Sequence, residues 1–270
     1  MADGTQNDPY IVTTWDELVE KAAISGAYIK LGNDINLNDE YPEGITSQTT
    51  VGCTEIDGDN HIIKNLANKN CSIFYPASNV FATIKNTKFL NCCLKGYSFV
   101  RHNSYGGITF SLCSFNGELC EDAVFSSQTA TLRRCSMNFN LNGNSTSTSA
   151  ANGEQTYYYY CNIKLKNGVL RMNGENNYVT GENMSVVVGS GKYNVFDVSI
   201  PTENYITFND NHYRGYYNTN SLINDDKVEG SKSFNANDGN YAVATADLTN
   251  AEYLSSIGFP IQMYGYIPEN

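Results

Sequence analysis

Cleavage of a glycosidic bond needs two carboxyl groups at a fixed separation, one protonated and one charged. The nearest approach to such a set in this sequence is Glu118, Glu121 and Asp122, followed by Arg133 and Arg134. Carboxylates beside guanidinium groups also suit a cation site or a lyase, but the plainer reading is a solvated turn with ion pairs to the next strand. Asp57-Gly58-Asp59-Asn60 opens like a calcium loop, yet the twelfth position is Asn68 where a bidentate Glu is required, so a tight turn is expected there. Neither Cys92-Cys93 nor Cys113 with Cys120 has the Cys-x-x-Cys spacing of a zinc site, and there are only three His. The sequence therefore offers no catalytic residue, no metal site and no cofactor. What remains is the run Tyr157, Tyr158, Tyr159 and Tyr160, whose alternation puts two rings outside. Exposed aromatics on a rigid strand suit a sugar or a protein contact, and they are equally the residues a strand prefers on its outer face.

The elements that must position these residues come from a repeat. In IKNTKFLNCCL, FSLCSFNGELC, LRRCSMNFNL and YYYCNIKLKN, one column holds Phe89, Phe115, Met137 and Ile163. The column two residues earlier holds Thr87, Cys113, Cys135 and Cys161, at spacings of 26, 22 and 26. Phe74, Phe99 and Phe125 keep the same offset, 25 and then 26. A period in this range indicates a solenoid or an array. Apolar residues alternate with polar ones, as in Met137, Phe139 and Leu141, which is strand spacing. With no helix between units, the expected fold is all-β, a right-handed parallel β-helix of about 20–26 residues per coil. Equivalent residues of successive coils then touch, so Cys113, Cys135, Cys161, Phe89, Phe115, Met137, Ile163, Phe99 and Phe125 are expected as the core stack.

Composition is consistent with one large β domain. The 270 residues carry a net charge of −11 and an isoelectric point near 4.7, which argues against a nucleic-acid partner. No run of about 18 apolar residues exists to cross a membrane. The opening MADGTQNDPYIV lacks a basic stretch and an apolar stretch, so no secretory signal is expected. On that basis the eight cysteines are expected to be reduced and mainly core-packed, with one of the adjacent Cys92 and Cys93 facing outward.

Residues 1–50 are expected to form a cap of strand, helix and strand, 51–220 the β-helix, and 221–270 a C-terminal cap or docking segment. Thr14 with Glu17 three residues on is a capping box, and Trp15, Leu18, Val19 and Ala22 make the helix's apolar stripe. Further along, Met184 and Phe208 read as later members of the Ile163 column, 142–155 reads as a surface loop, and a short helix capped by Thr249 is expected to stop near Gly258 and Pro260. Asp8-Pro9-Tyr10-Ile11, Trp15-Asp16-Glu17-Leu18, Tyr28-Ile29-Lys30-Leu31 with Asn33-Asp34-Ile35, Ile56-Asp57-Gly58 and His61-Ile62-Ile63-Lys64-Asn65-Leu66 together resemble the opening of pectin-lyase-like β-helix proteins of phage virions and bacterial surfaces. The resemblance implies a right-handed β-helix with an N-terminal cap.

Hydrolases of the polygalacturonase type carry Asn-Thr-Asp, Asp-Asp, Gly-His-Gly and Arg-Ile-Lys. Here Lys88 follows Asn86-Thr87, and His61, His102 and His212 lack flanking glycines. The leading expectation is a non-enzymatic virion structural protein of a bacteriophage, a decoration, fibre or spike, with other virion proteins or itself as partner, a homotrimer being one assembly. A host surface glycan is a further expected partner. The alternatives are a bacterial surface adhesin and a β-helical polysaccharide lyase or hydrolase.

Overall fold

The structure is a computed structural model that describes residues 2–95, 98–101, 106–119, 123–125, 130–146, 156–208, 218–234 and 238–259. The chain is mostly β and its strands pair in parallel, a β-helix-like solenoid. It divides into two compact units, Met1–Cys135 and Ser136–Asn270.

In the first unit each coil contributes one inward residue to a column that runs through the register. Ile29 pairs with Ile56, Ile56 with Ile84, Ile84 with Phe110 and Phe110 with Leu132. A second column runs from Ile35 through Ile63 and Phe89 to Phe115. Coils stacked about 4.8 Å apart bring like residues into contact, so each position favours one size of apolar side chain. Phe89, Phe99, Phe110, Phe115 and Phe125 are all fully buried in this core, and each contributes about 1.5–3 kcal/mol on leaving water. Cys113 and Cys135 are buried as expected.

Helix α1 (Trp15–Ala22) starts on the expected capping box, with the Thr14 hydroxyl accepting from the Glu17 N–H and the Glu17 carboxylate accepting from the Thr14 N–H. It buries Trp15, Leu18 and Ala22, and the Trp15 ring lies 6.2 Å from Phe74 of the core. The Asp-Gly stretch is the expected tight turn, in which Asp59 N–H donates to Asp57 Oδ1 at 2.9 Å. A Cβ on Gly58 would meet Thr87 Oγ1 at 2.4 Å, which is why the next coil can pass so close.

The coils turn at left-handed residues. Of the non-glycine residues with positive φ among those described, eleven are Asn, whose short amide tolerates this region best. Their side chains bond coil to coil: Asn65 Nδ2 donates to Asn36 Oδ1 and Asn91 Nδ2 to Asn65 Oδ1.

The second unit follows the same rules, with two shorter coils in its middle. Its inner column is Met137, Ile163, Val179, Phe196 and Ile223. The expectation that Met184 continues this column is corrected: Met184 pairs with Gly168, and Phe208 with Val188. The reason is that Asn162–Glu175 and Tyr178–Lys192 are strands of 14 and 15 residues, paired along nearly their whole length with no loop between coils. The coil there is shorter than the expected 20–26 residues. An Asn ladder again holds the corner, Asn167 to Asn140, Asn183 to Asn167 and Asn204 to Asn183. A second ladder is buried, with Asn177 Nδ2 donating to Asn194 Oδ1 at 2.9 Å.

The final described strands are Ser231–Ser233, all three residues exposed, and Tyr241–Val243. Lys232 occupies the place over Ile206 where an apolar residue would continue the column. The later helix α2 (Ala251–Ser256) is capped by Asn250, not by Thr249, because Thr249 belongs to the preceding 3₁₀ turn, Thr245–Thr249. Asn250 Oδ1 accepts from the Glu252 and Tyr253 N–H groups at 3.1 Å. Leu248, Leu254 and Phe259 of this segment pack with Val195, Leu222 and Val243, with Tyr178, Tyr193 and Tyr241 beside them.

Candidate functional site

The tyrosine run forms the strand Tyr157–Tyr159, and the residue after it turns the corner. Tyr158 points inward and is fully buried, which removes it from the expected binding surface; the pleat that presents its neighbours forces it into the core. Burial pushes its phenol pKa far above the ordinary range. Tyr157 and Tyr159 face outward with their rings stacked, centroids 6.4 Å apart and planes within 5°. Tyr160 holds φ +57 and is 39% exposed. The next coil places Asn173, Gly174 and Glu175 beside Tyr157, Tyr158 and Tyr159. Gly174 lies at φ +127, and a Cβ there would meet the Tyr158 carbonyl oxygen at 1.8 Å, so only glycine lets this strand approach. Glu175 pairs in register with Lys192, at 3.7 Å between charged atoms. The outer surface is thus an aromatic step leading onto a polar strip.

Of the charged set considered around Arg133, the described residues are not in register with one another. Glu118 pairs in register with Cys93, whereas Arg133 pairs with Ser111 on a different strand segment of the coil. Glu121 and Asp122 lie outside the described residues. No cluster of three or more His, Cys, Asp or Glu is placed to hold a metal among the described residues.

A charged network that spacing did not single out sits on the first unit's outer face. Lys85 Nζ lies 2.8 Å from Glu55 and 3.3 Å from Asp57, and Lys30 lies 2.9 Å from Asp59. Burial works against the charge on Asp57, but the Asp59 N–H, the Asn86 amide and the Lys85 ammonium outweigh it and hold the carboxyl below its usual range. Asp57 is therefore fixed as an anion, the opposite of what a general acid requires. Its register, Lys30 to Asp57 to Lys85, was invisible to a period search because alternating charges share no residue type.

Six cysteines, Cys53, Cys71, Cys92, Cys113, Cys135 and Cys161, are free and buried. For Cys113, burial above all raises the thiol pKa well past its ordinary value, which makes it a poor nucleophile. Cys93 corrects the reduced reading, since it is disulfide-bonded. It is the member of the adjacent pair that faces outward, away from the apolar column that holds Cys92. Cys120 lies outside the described residues.

Leu112 and Tyr193 were not singled out by the sequence, and the left-handed backbone they share with Arg134 and Tyr160 was not read from it. Among the described residues these are the four other than Gly, Asn and Asp that hold a positive φ. The signal was present in the column just before Thr87, Cys113, Cys135 and Cys161, where Asn86 gives way to Leu112, Arg134 and Tyr160.

The sequence matches no family model and no curated protein. Two chains of solved structures match. One is described as "a putative immunoglobulin A1 protease from Bacteroides ovatus", at 14% identity and a TM-score of 0.44, covering 94% of this chain and 89% of that one.

Proposed function

We propose that this chain is a non-catalytic, rigid β-helical attachment protein displayed on a surface, and that the outer face at Tyr157, Tyr159 and Tyr160 makes its contact. The stacked pair Tyr157 and Tyr159 carries this reading. Two parallel rings on a strand paired with its neighbour form an ordered aromatic pair of low residual entropy, which suits a saccharide ring or a protein loop. The disulfide at Cys93 supports it too, since such bonds persist on virions, on cell surfaces and outside cells. Asp57, held as an anion, supports a structural use of the charged network.

Of the surfaces that fit, a bacteriophage virion comes first, with the protein as a decoration, fibre or spike and itself or other virion proteins as partners. A bacterial adhesin is the second reading. The test is a glycan array read alongside light scattering, on the intact protein and on the Tyr157→Ala, Tyr159→Ala double variant. Saturable glycan binding or a stable oligomer that the double variant loses supports the proposal. Identical behaviour of the two proteins in both assays refutes the tyrosine platform.

A further inference from the structure

One corner of the coil repeats a single hydrogen bond, from the N–H of the left-handed residue to the carbonyl just before the next coil's corner. In the first unit Asn86 bonds in this way to Ser111 and Leu112 to Arg133. In the second unit Tyr160 bonds to Glu175, Asn176 to Lys192, Tyr193 to Thr219 and Asn220 to Asp238. Asn is the residue this conformation accepts most readily after Gly, and the other corner uses it at Asn65, Asn91, Asn167 and Asn183. All four exceptions, Leu112, Arg134, Tyr160 and Tyr193, fall at this one corner.

Tyr193 shows what such an exception does. Its ring meets Phe259 edge-on at 6.1 Å and packs with the cluster of Leu248, Leu254 and Phe259, so this left-handed aromatic seats the C-terminal segment. Leu112 stands out from the surface instead. It is 51% exposed, and it is held at φ +55, a conformation unfavourable for a branched side chain. Arg134, on the next coil, is exposed at φ +51. Exposed Lys88 stands nearby, in register with Ser114 two residues after Leu112. With Arg133 also exposed, an apolar projection here stands among three cationic side chains on a chain of net charge −11. An exposed branched side chain held in a strained backbone conformation points toward function.

We propose that Leu112 and Arg134 form a docking edge for an acidic polypeptide segment with an apolar anchor residue. The occupant follows from two observations, the positive charge of this edge and the segment seated at Tyr193. That segment, residues 247–259, carries Asp247 and Glu252, has no Lys or Arg, and anchors through Phe259. The edge at Leu112 presents the same corner geometry with the charge that such a segment needs. This inference does not rest on the tyrosine platform.

The test joins stability to binding. Leu112→Asn and Arg134→Asn are each expected to raise the urea midpoint of the whole protein, because Asn relieves the left-handed backbone. A synthetic peptide of residues 247–259, titrated onto the intact protein by fluorescence anisotropy, is expected to bind saturably. Arg134→Glu should weaken it at least tenfold, and Leu112→Asn should weaken it without loss of fold. A midpoint lowered by both Asn substitutions would show that the two residues serve the fold. Absent or non-saturable binding, or binding untouched by both Arg134→Glu and Leu112→Asn, would likewise overturn the proposal.

Discussion

Phe89 and Phe115 lie ring on ring across consecutive coils, 5.1 Å between centroids and 11° between planes. Both are fully buried, and Phe99 and Phe110 meet the Phe115 ring edge-on. Replacing Phe115 by Ala removes the ring from a close-packed stack on several sides, at an expected cost of about 3–5 kcal/mol. Phe115→Leu should cost less than half of that. Urea unfolding of the two variants checks the order, and equal losses would mean that the stack is loosely packed.

Asn167 tests the corner ladder. It holds φ +54, donates to Asn140 and accepts from Asn183, both at 3.1 Å. Asn167→Ala should cost roughly 1–2 kcal/mol, in part from the left-handed backbone and in part from the lost side-chain bonds. Asn167→Gly should recover the backbone share and no more. Thermal unfolding of the pair separates the two contributions.

Acid should weaken the fold through Asp57 and Asp197. Burial opposes the charge on Asp197, but Lys227 at 2.7 Å and the Asn224 amide hold its carboxyl below the usual range, as Lys85 and Asn86 do for Asp57. A folded pKa below the unfolded value gives stability that is complete above the unfolded pKa, about 4, and lost as pH falls through the lowered native values. Melting temperature should therefore drop below about pH 4. Asp57→Asn and Asp197→Asn should be less stable at pH 7 and should flatten that drop; unchanged acid sensitivity in both would place it elsewhere.

The thiols make a fourth test. The six free buried cysteines should resist a thiol reagent in the native protein and react on denaturation. Cys93 should react only after reduction. Cys93→Ser should lower stability by about 2–4 kcal/mol under oxidising conditions and by little under reducing ones. Intact mass after alkylation, with and without reductant, reads both.

The solenoid was legible in the sequence because stacking imposes like residues at like positions, so Phe89 with Phe115 and Cys113 with Cys135 announce themselves in two columns that stay two residues apart. The column faded after Ile163 because the coil shortens, and Val179, not Met184, comes next. The Thr14 and Glu17 cap was legible as a local rule, while the true cap at Asn250 was hidden by a 3₁₀ turn that shifts the helix start. The tyrosine face was half legible, since strand alternation puts Tyr158 inside without saying which phase to choose. The corner at Leu112 and Arg134 was not recognised, although its column stood next to the one that was, because no composition rule marks a residue by the sign of its φ.

Among the described residues Lys232 is the last member of the column that passes through Ile206. A parallel β-helix presents an open ladder at each end, and a flat apolar final coil is a template on which another chain can continue. Here the position over Ile206 is filled by an ammonium group, paired with Asp225, on a strand whose three residues all face solvent. Extending the column by one more coil at this strand would strip water from that charge without replacing it. The ammonium group on this strand thus keeps the Ile206 column from continuing as an apolar one.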